Sequence, residues 1–228
     1  MLGSNHTFDR LLTANKSHSQ EGVRKMSKLP ARPLRPGPDI DACRTSHRRL
    51  RAALASLTDD DFRSPSLLPR WSRGHVVTHL ANKTKTLVWV FEGPAEGEIR
   101  RQFPAGHDHD LAADTGAARS AAELRSDLEH SFELVEGAWD ALDDGLWDRQ
   151  GIVTPGPRTM AEIVGRHLRD VEVHHVDLDI GYRVSDWPLH FVEGELTKRL
   201  RALTDRADHA DLLAWLLGRA PVPDLEPW

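Results

Sequence analysis

From residue 39 onward the apolar positions of this chain recur at helical intervals, and before that they follow no period. Residues 1–37 are polar and end in a proline-rich stretch, which predicts a disordered tail, with Met26 offering a second start of translation. Ile40, Cys43, His47, Leu50 and Leu54 are spaced by three and four residues. They predict a helix that stops at the TDDD run of 58–61, with Cys43 as a core residue rather than a nucleophile. A second helix is predicted with Ser72 as N-cap, Val76, Leu80, Leu87 and Val90 facing inward, and a stop at Gly93 and Pro94.

The stretch from 93 to 119 reads as one long loop, and long ordered loops are often functional. Its HDHD run, 107–110, looks like a ligand cluster, but no periodic element positions it and it reads as polar loop. Ser120 and Glu123 form a capping box ahead of Leu124, Leu128, Phe132, Val135, Trp139 and Leu142, which predicts a third long helix. GIVTPGPR, 151–158, reads as a turn-rich connector. A second capping box, Thr159 with Glu162, opens a helix expected to run through HLRDVEVHHVDLDIGY, 167–182, to the DWP at 186–188. A strand reading of VEVHHVDLDI fails because the doubled histidine breaks its alternation. Helical patterns follow at about 190–206 and 209–219. The fold class this predicts is all-α, an up-and-down helix bundle over 38–188 with a short C-terminal region, 189–228.

Composition narrows the function classes. With 35 acidic against 30 basic side chains and a formal charge of -5, no basic face is expected and nucleic acid is not an expected partner. The single cysteine excludes an internal disulfide framework and a cysteine-rich zinc site. No apolar run reaches the roughly 20 residues of a membrane span, and the N-terminus lacks the apolar core of a secretory signal. No membrane association and a cytoplasmic location are therefore expected.

The candidate chemistry lies on the helix that Thr159 opens. Val164, Leu168, Val171, His175 and Leu178 form one stripe; about 100° round, His167, Asp170, His174 and Asp177 form another. Asp170 and His174 are one turn apart, about 6 Å at the backbone, so both side chains can converge on one ion. His79, beside the inward stripe of the second helix, is the best third ligand, because metal sites in bundles are built from facing helices. Two imidazoles and a carboxylate leave open positions, as catalytic zinc does. Asp177, one turn beyond His174, is placed to accept its other ring N–H. An Asp and a His four apart on a helix also make an ordinary surface pair, and spacing alone leaves both readings open. His75 and His175 read as structural or pocket-lining, and Glu172 and Asp179 as solvated.

The sequence resembles the mycothiol-dependent maleylpyruvate isomerase family, a branch of the DinB-like metal-binding four-helix bundles. The resemblance rests on WSRGHVVTHLA, DLAADTGAARSAAELRSDL, RDVEVHHVDLDIGY followed by DWP, and LLAWLLGR near the end, and covers most of 38–219. It implies a DinB-like four-helix bundle, a divalent metal, with zinc first in view, on His79, Asp170 and His174, and mycothiol as the low-molecular-weight thiol cosubstrate. His75 and Arg119 are expected to position that thiol or a substrate carboxylate. Two departures stand out. The family has a glutamate where this chain has Asp170, one methylene shorter. The family's small α/β C-terminal domain would fall between Leu200 and Asp211, where only RALTDRADHA connects the helical patterns.

The function this implies is thiolate attack on a small electrophilic metabolite, ending either in S-transfer or thiol exchange or in maleylpyruvate-type cis-trans isomerisation. Two other readings stay open. One is a non-haem iron oxygenase, since two histidines and a carboxylate also make a facial triad. The other is a non-catalytic metal-binding bundle.

Overall fold

A computed structural model of the chain describes residues 35–103, 109–154 and 156–224. Most of the tail expected over 1–37 lies outside the described residues, but Pro36 already caps a helix. That helix, α1 (Gly37–Leu54), buries Ile40, Cys43, His47, Leu50 and Leu54, the stripe that the spacing predicts. The TDDD run does more than break it. Thr58 and Asp61 form a capping box that starts a short helix, α2 (Asp59–Arg63), whose Phe62 is buried.

Helix α3 (Arg73–Glu92) begins at Ser72, with a capping box completed by His75, and Gly93 with Pro94 ends it. Val76, Leu80, Leu87 and Val90 are all in the core. The expected loop of 93–119 instead contains a helix, α4 (His109–Ala117). Its contact face is made of small residues: a Cβ on Gly116 would meet the Thr78 side chain at 2.5 Å, and one on Gly74 would meet the Ala117 carbonyl oxygen at 2.4 Å. Ala113 and Ala117 are buried between them. Backbone-close packing of this kind leaves no stripe of large apolar residues for a periodicity argument to find. Of the HDHD run, His107 and Asp108 lie outside the described residues, and His109 opens the backbone of α4.

Helix α5 (Ala121–Ala141) starts from the predicted Ser120–Glu123 box. The connector after it is a hairpin, β1 (Gln150–Val153) paired antiparallel with β2 (Gly156–Thr159), a small two-stranded addition to the helical fold that the sequence predicts. Gly151 is required there, because a Cβ would meet Val90 at 2.3 Å. Thr159 and Glu162 then cap α6 (Met160–Asp177).

Helix α6 stops at Asp177, well before the DWP expected to close it. Asp179 and Gly181 both take positive φ, 52° and 97°, which turns the chain out of the helix. Arg73, at the start of α3, donates to the carbonyls of Leu178 and Asp179 at 2.8 and 2.9 Å, so the end of α6 is fixed by a side chain from another helix.

The bundle is α1, α3, α5 and α6, with α1 against α6 and α5, and α3 against α5 and α6. One apolar cluster holds Trp139, Trp147, Phe91, Met160 and Val164; a second holds Phe62, Leu80, Leu124, Phe132 and Val171. Cys43 is inside the first, fully buried. Its thiol donates to the Val164 carbonyl at 3.6 Å, and burial pushes that thiol well up, so it is inert core as expected. The C-terminal part, 189–224, holds α7 (Leu189–Leu203) and α8 (His209–Leu216) and no strand among the described residues. No helix among the described residues is long and apolar enough to cross a membrane.

Candidate functional site

The two stripes of α6 divide their histidines among different surroundings. His175 is buried and stacks on the Tyr182 ring at 3.9 Å. His167 is buried against α1, where its Nε2 meets His47 Nε2 at 2.9 Å. His174 turns the other way, toward α3, where its ring meets that of His79 edge to face at 5.1 Å. The two histidines assigned to one site from different parts of the sequence therefore come together.

His174 is held by one further contact. Its Nδ1 lies 2.9 Å from an Asp177 carboxylate oxygen, one turn on. A carboxylate only accepts, so Nδ1 carries a proton, and in the neutral ring the lone pair is on Nε2. Asp177 thus takes the orienting place expected from its spacing. On the α3 side Trp71 flanks the pair: its ring lies 5.1 Å from His79 and 6.3 Å from His75.

Asp170 behaves differently from a free metal ligand. Its Oδ2 accepts from the Lys83 ammonium at 2.9 Å, and Arg169 approaches Oδ1 at 3.4 Å. Burial pushes this carboxyl up, but Lys83 and Arg169 outweigh it, with His174 adding to them, and hold it at about 2. Among the described residues no three His, Cys, Asp or Glu side chains gather as a metal ion would need. The donor types suit a divalent metal, but as placed the set does not fit one: the two imidazoles face each other while the carboxylate is committed to Lys83.

The other two candidates, His75 and Arg119, make their contacts with neighbouring helix residues. His75 takes the Ser72 amide and hydroxyl on Nδ1, and its Nε2 pairs with Asp114 at 3.0 Å. Arg119 donates to the Gly116 carbonyl at 2.9 Å, Asp127 at 3.0 Å and Thr78 at 3.3 Å, bracing α4 and α5 against α3. His75 shares the Trp71 ring with His79, whereas Arg119 is bound to Gly116, Asp127 and Thr78.

Glu172, expected to be solvated, is buried. It accepts from Ser46, from Tyr182 at 2.5 Å and from Arg49 at 3.4 Å, which ties α1 to the turn after α6. Sequence reasoning also misses Lys83 and Trp71. Lys83 lies one turn after His79 on α3, and that spacing is the signal that it shares the site's face.

Comparison with known proteins bears on the family and the fold. The family model described as the mycothiol maleylpyruvate isomerase N-terminal domain matches residues 43–179, more than half of the chain, and includes the segments carrying His79, Asp170, His174 and Asp177. No curated protein matches. Crystal structures of the mycothiol-dependent maleylpyruvate isomerase and of a point mutant of that enzyme superpose with a TM-score of 0.70 at 20% identity, covering 75% of this chain and 72% of theirs. At that identity they show a shared fold. On the extent of that match, the chain belongs to the mycothiol maleylpyruvate isomerase N-terminal domain family.

Proposed function

We propose that this chain is a mycothiol-dependent enzyme that acts on a small electrophilic metabolite at the imidazole pair of His79 and His174, by maleylpyruvate-type cis-trans isomerisation or by S-transfer. The observation that carries the reading is the edge-to-face meeting of those two rings at 5.1 Å, within the stretch that matches the family, with one of them fixed by a carboxylate.

The thiol supplies a sulfur nucleophile that adds to a conjugated double bond, allows rotation about what has become a single bond, and leaves again. What the chain must do is move one proton. His174, with Nδ1–H donating to Asp177, presents Nε2 as the acceptor for the thiol proton, and the imidazolium that forms is stabilised by the same carboxylate. A free thiol ionises near pH ~8.5, so a neighbouring base is needed for the thiolate to dominate at neutral pH. In isomerisation the sulfur leaves and recovers the proton from His174. In S-transfer the proton goes instead to the substrate carbon and the conjugate is released. His79, facing His174, would lie beside the substrate oxygen that develops charge, with the Trp71 ring packed next to it.

No step is routed through a metal, because Asp170 is not placed as its ligand. The same contact weighs against an iron oxygenase, whose facial triad needs that carboxylate. The test is mass spectrometry of the products formed when the purified protein meets mycothiol and either maleylpyruvate or other unsaturated acids. An isomer or an S-conjugate that requires both thiol and His174 supports the proposal. Absence of any thiol-dependent product would favour a non-catalytic bundle.

A further inference from the structure

We infer that the Lys83 ammonium occupies the cation position of this centre, so that the chain does not hold a tightly bound divalent metal on His79, Asp170 and His174. The inference rests on the reacting centre being the imidazole pair, as proposed above. Lys83 projects from α3 one turn after His79, and Asp170 from α6 one turn before His174, so the ion pair lies alongside the ring pair between the same two helices.

Three features favour the ammonium over a metal at this carboxylate. Asp170 is buried and both its oxygens already face cations, Lys83 at 2.9 Å and Arg169 at 3.4 Å. A carboxylate so placed has its charge compensated, whereas a metal would have to break a buried pair and leave Lys83 without its partner. The metal would then also lie next to that ammonium and to Arg169, with one aspartate among three cations that carry four positive charges. Finally, an aspartate reaches one methylene less far than a glutamate, so Asp170 cannot easily serve the imidazole pair while still in contact with Lys83. The inventory of charge in the centre is then complete without an ion, and Asp177 is the carboxylate left to work through His174.

The test is a metal titration of the full chain after treatment with a chelator, with Zn²⁺ read by calorimetry and Co²⁺ by its visible absorption. Asp170→Asn is expected to leave Zn²⁺ affinity at the wild-type value. Lys83→Met is expected to raise it about tenfold or more, close to 1.4 kcal/mol, by freeing a buried carboxylate that needs a cation. That gain should vanish in the double variant with Asp170→Asn. The inference is overturned if Asp170→Asn lowers the affinity by about tenfold, or if a folded Lys83→Met protein binds no more tightly than wild type. Should Lys83→Met fail to fold, the comparison of wild type with Asp170→Asn decides alone. A protein without mycothiol-dependent turnover would defeat the proposed function but leave these titrations standing, since they read metal binding only.

Discussion

Helix α6 contributes one ring to each of two imidazole pairs, and the pairs differ in almost everything except composition. Toward α1, His167 meets His47 at 2.9 Å, and His47 passes its Nδ1–H to Glu136 at 2.6 Å. Toward α3, His174 meets His79, and His174 passes its Nδ1–H to Asp177 at 2.9 Å. Each is a pair of rings with one carboxylate behind it. The first is sealed: His47 stacks on Phe132 at 3.7 Å, Trp139 lies edge-on to His167 at 5.7 Å, and both histidines are buried. Burial pushes His47 down and drives His167 to about 3, so this pair is neutral at physiological pH and its hydrogen bonds serve the core. The second is partly open, with 16% of the His174 side chain exposed, and has a charged pair beside it. The comparison teaches that a His–His–carboxylate constellation is not by itself a site. Exposure to solvent separates the pair proposed to react from the buried one.

Four experiments would break or sharpen that contrast. The largest effect is expected at the open pair: His174→Ala should lower thiol-dependent turnover by about 10²- to 10⁴-fold, as loss of a general base does, while shifting unfolding free energy by less than about 1 kcal/mol. A large loss of stability with little loss of activity would reverse the roles assigned to the two pairs. At the sealed pair, Trp139→Ala should cost about 3–5 kcal/mol in urea unfolding, because it opens a cavity beside both rings.

The pH dependence separates the pairs next. His167 titrates in the folded protein far below its ordinary 6.5, so as pH falls the unfolded chain takes up the proton first. The stability this contributes is complete above pH 6.5 and is lost as pH falls toward 3, by up to about 1.4 kcal/mol per pH unit. Urea midpoints at about pH 7 and about pH 5 should show that loss, and His167→Met should flatten it; an unchanged slope would mean the sealed pair is not held neutral. The smallest effect is expected at Cys43→Ala, with turnover unchanged and stability lowered by about 1 kcal/mol in the same urea assay. Loss of turnover there would move the chemistry into the core.

Much of this frame is legible in the chain. The stripe from Ile40 to Leu54, the inward face of α3 and the capping boxes at Ser120 and Thr159 follow from local periodicity and from donors left over at helix starts, and the structure has them at the expected positions. Less visible are α4, which packs through glycine and alanine, and the hairpin at 150–159, whose pairing replaces an apolar pattern with backbone hydrogen bonds. The end of α6 is only partly local, in the positive φ of Asp179 and Gly181; Arg73 completes it from another helix.

The sequence by itself determined which residues share a helical face: His167, Asp170, His174 and Asp177 fall on one stripe because 3.6 residues per turn allow nothing else once the segment is helical. Only the tertiary structure decided what each of them meets. Within that stripe His167 faces α1, His174 faces α3, Asp170 is taken by Lys83, and Asp177 is left to orient His174. The reason is physical: a helix fixes the direction of a side chain to within a fraction of a turn, but burial, charge compensation and hydrogen-bond partners come from the neighbouring helices, and these set whether an imidazole is core or chemistry.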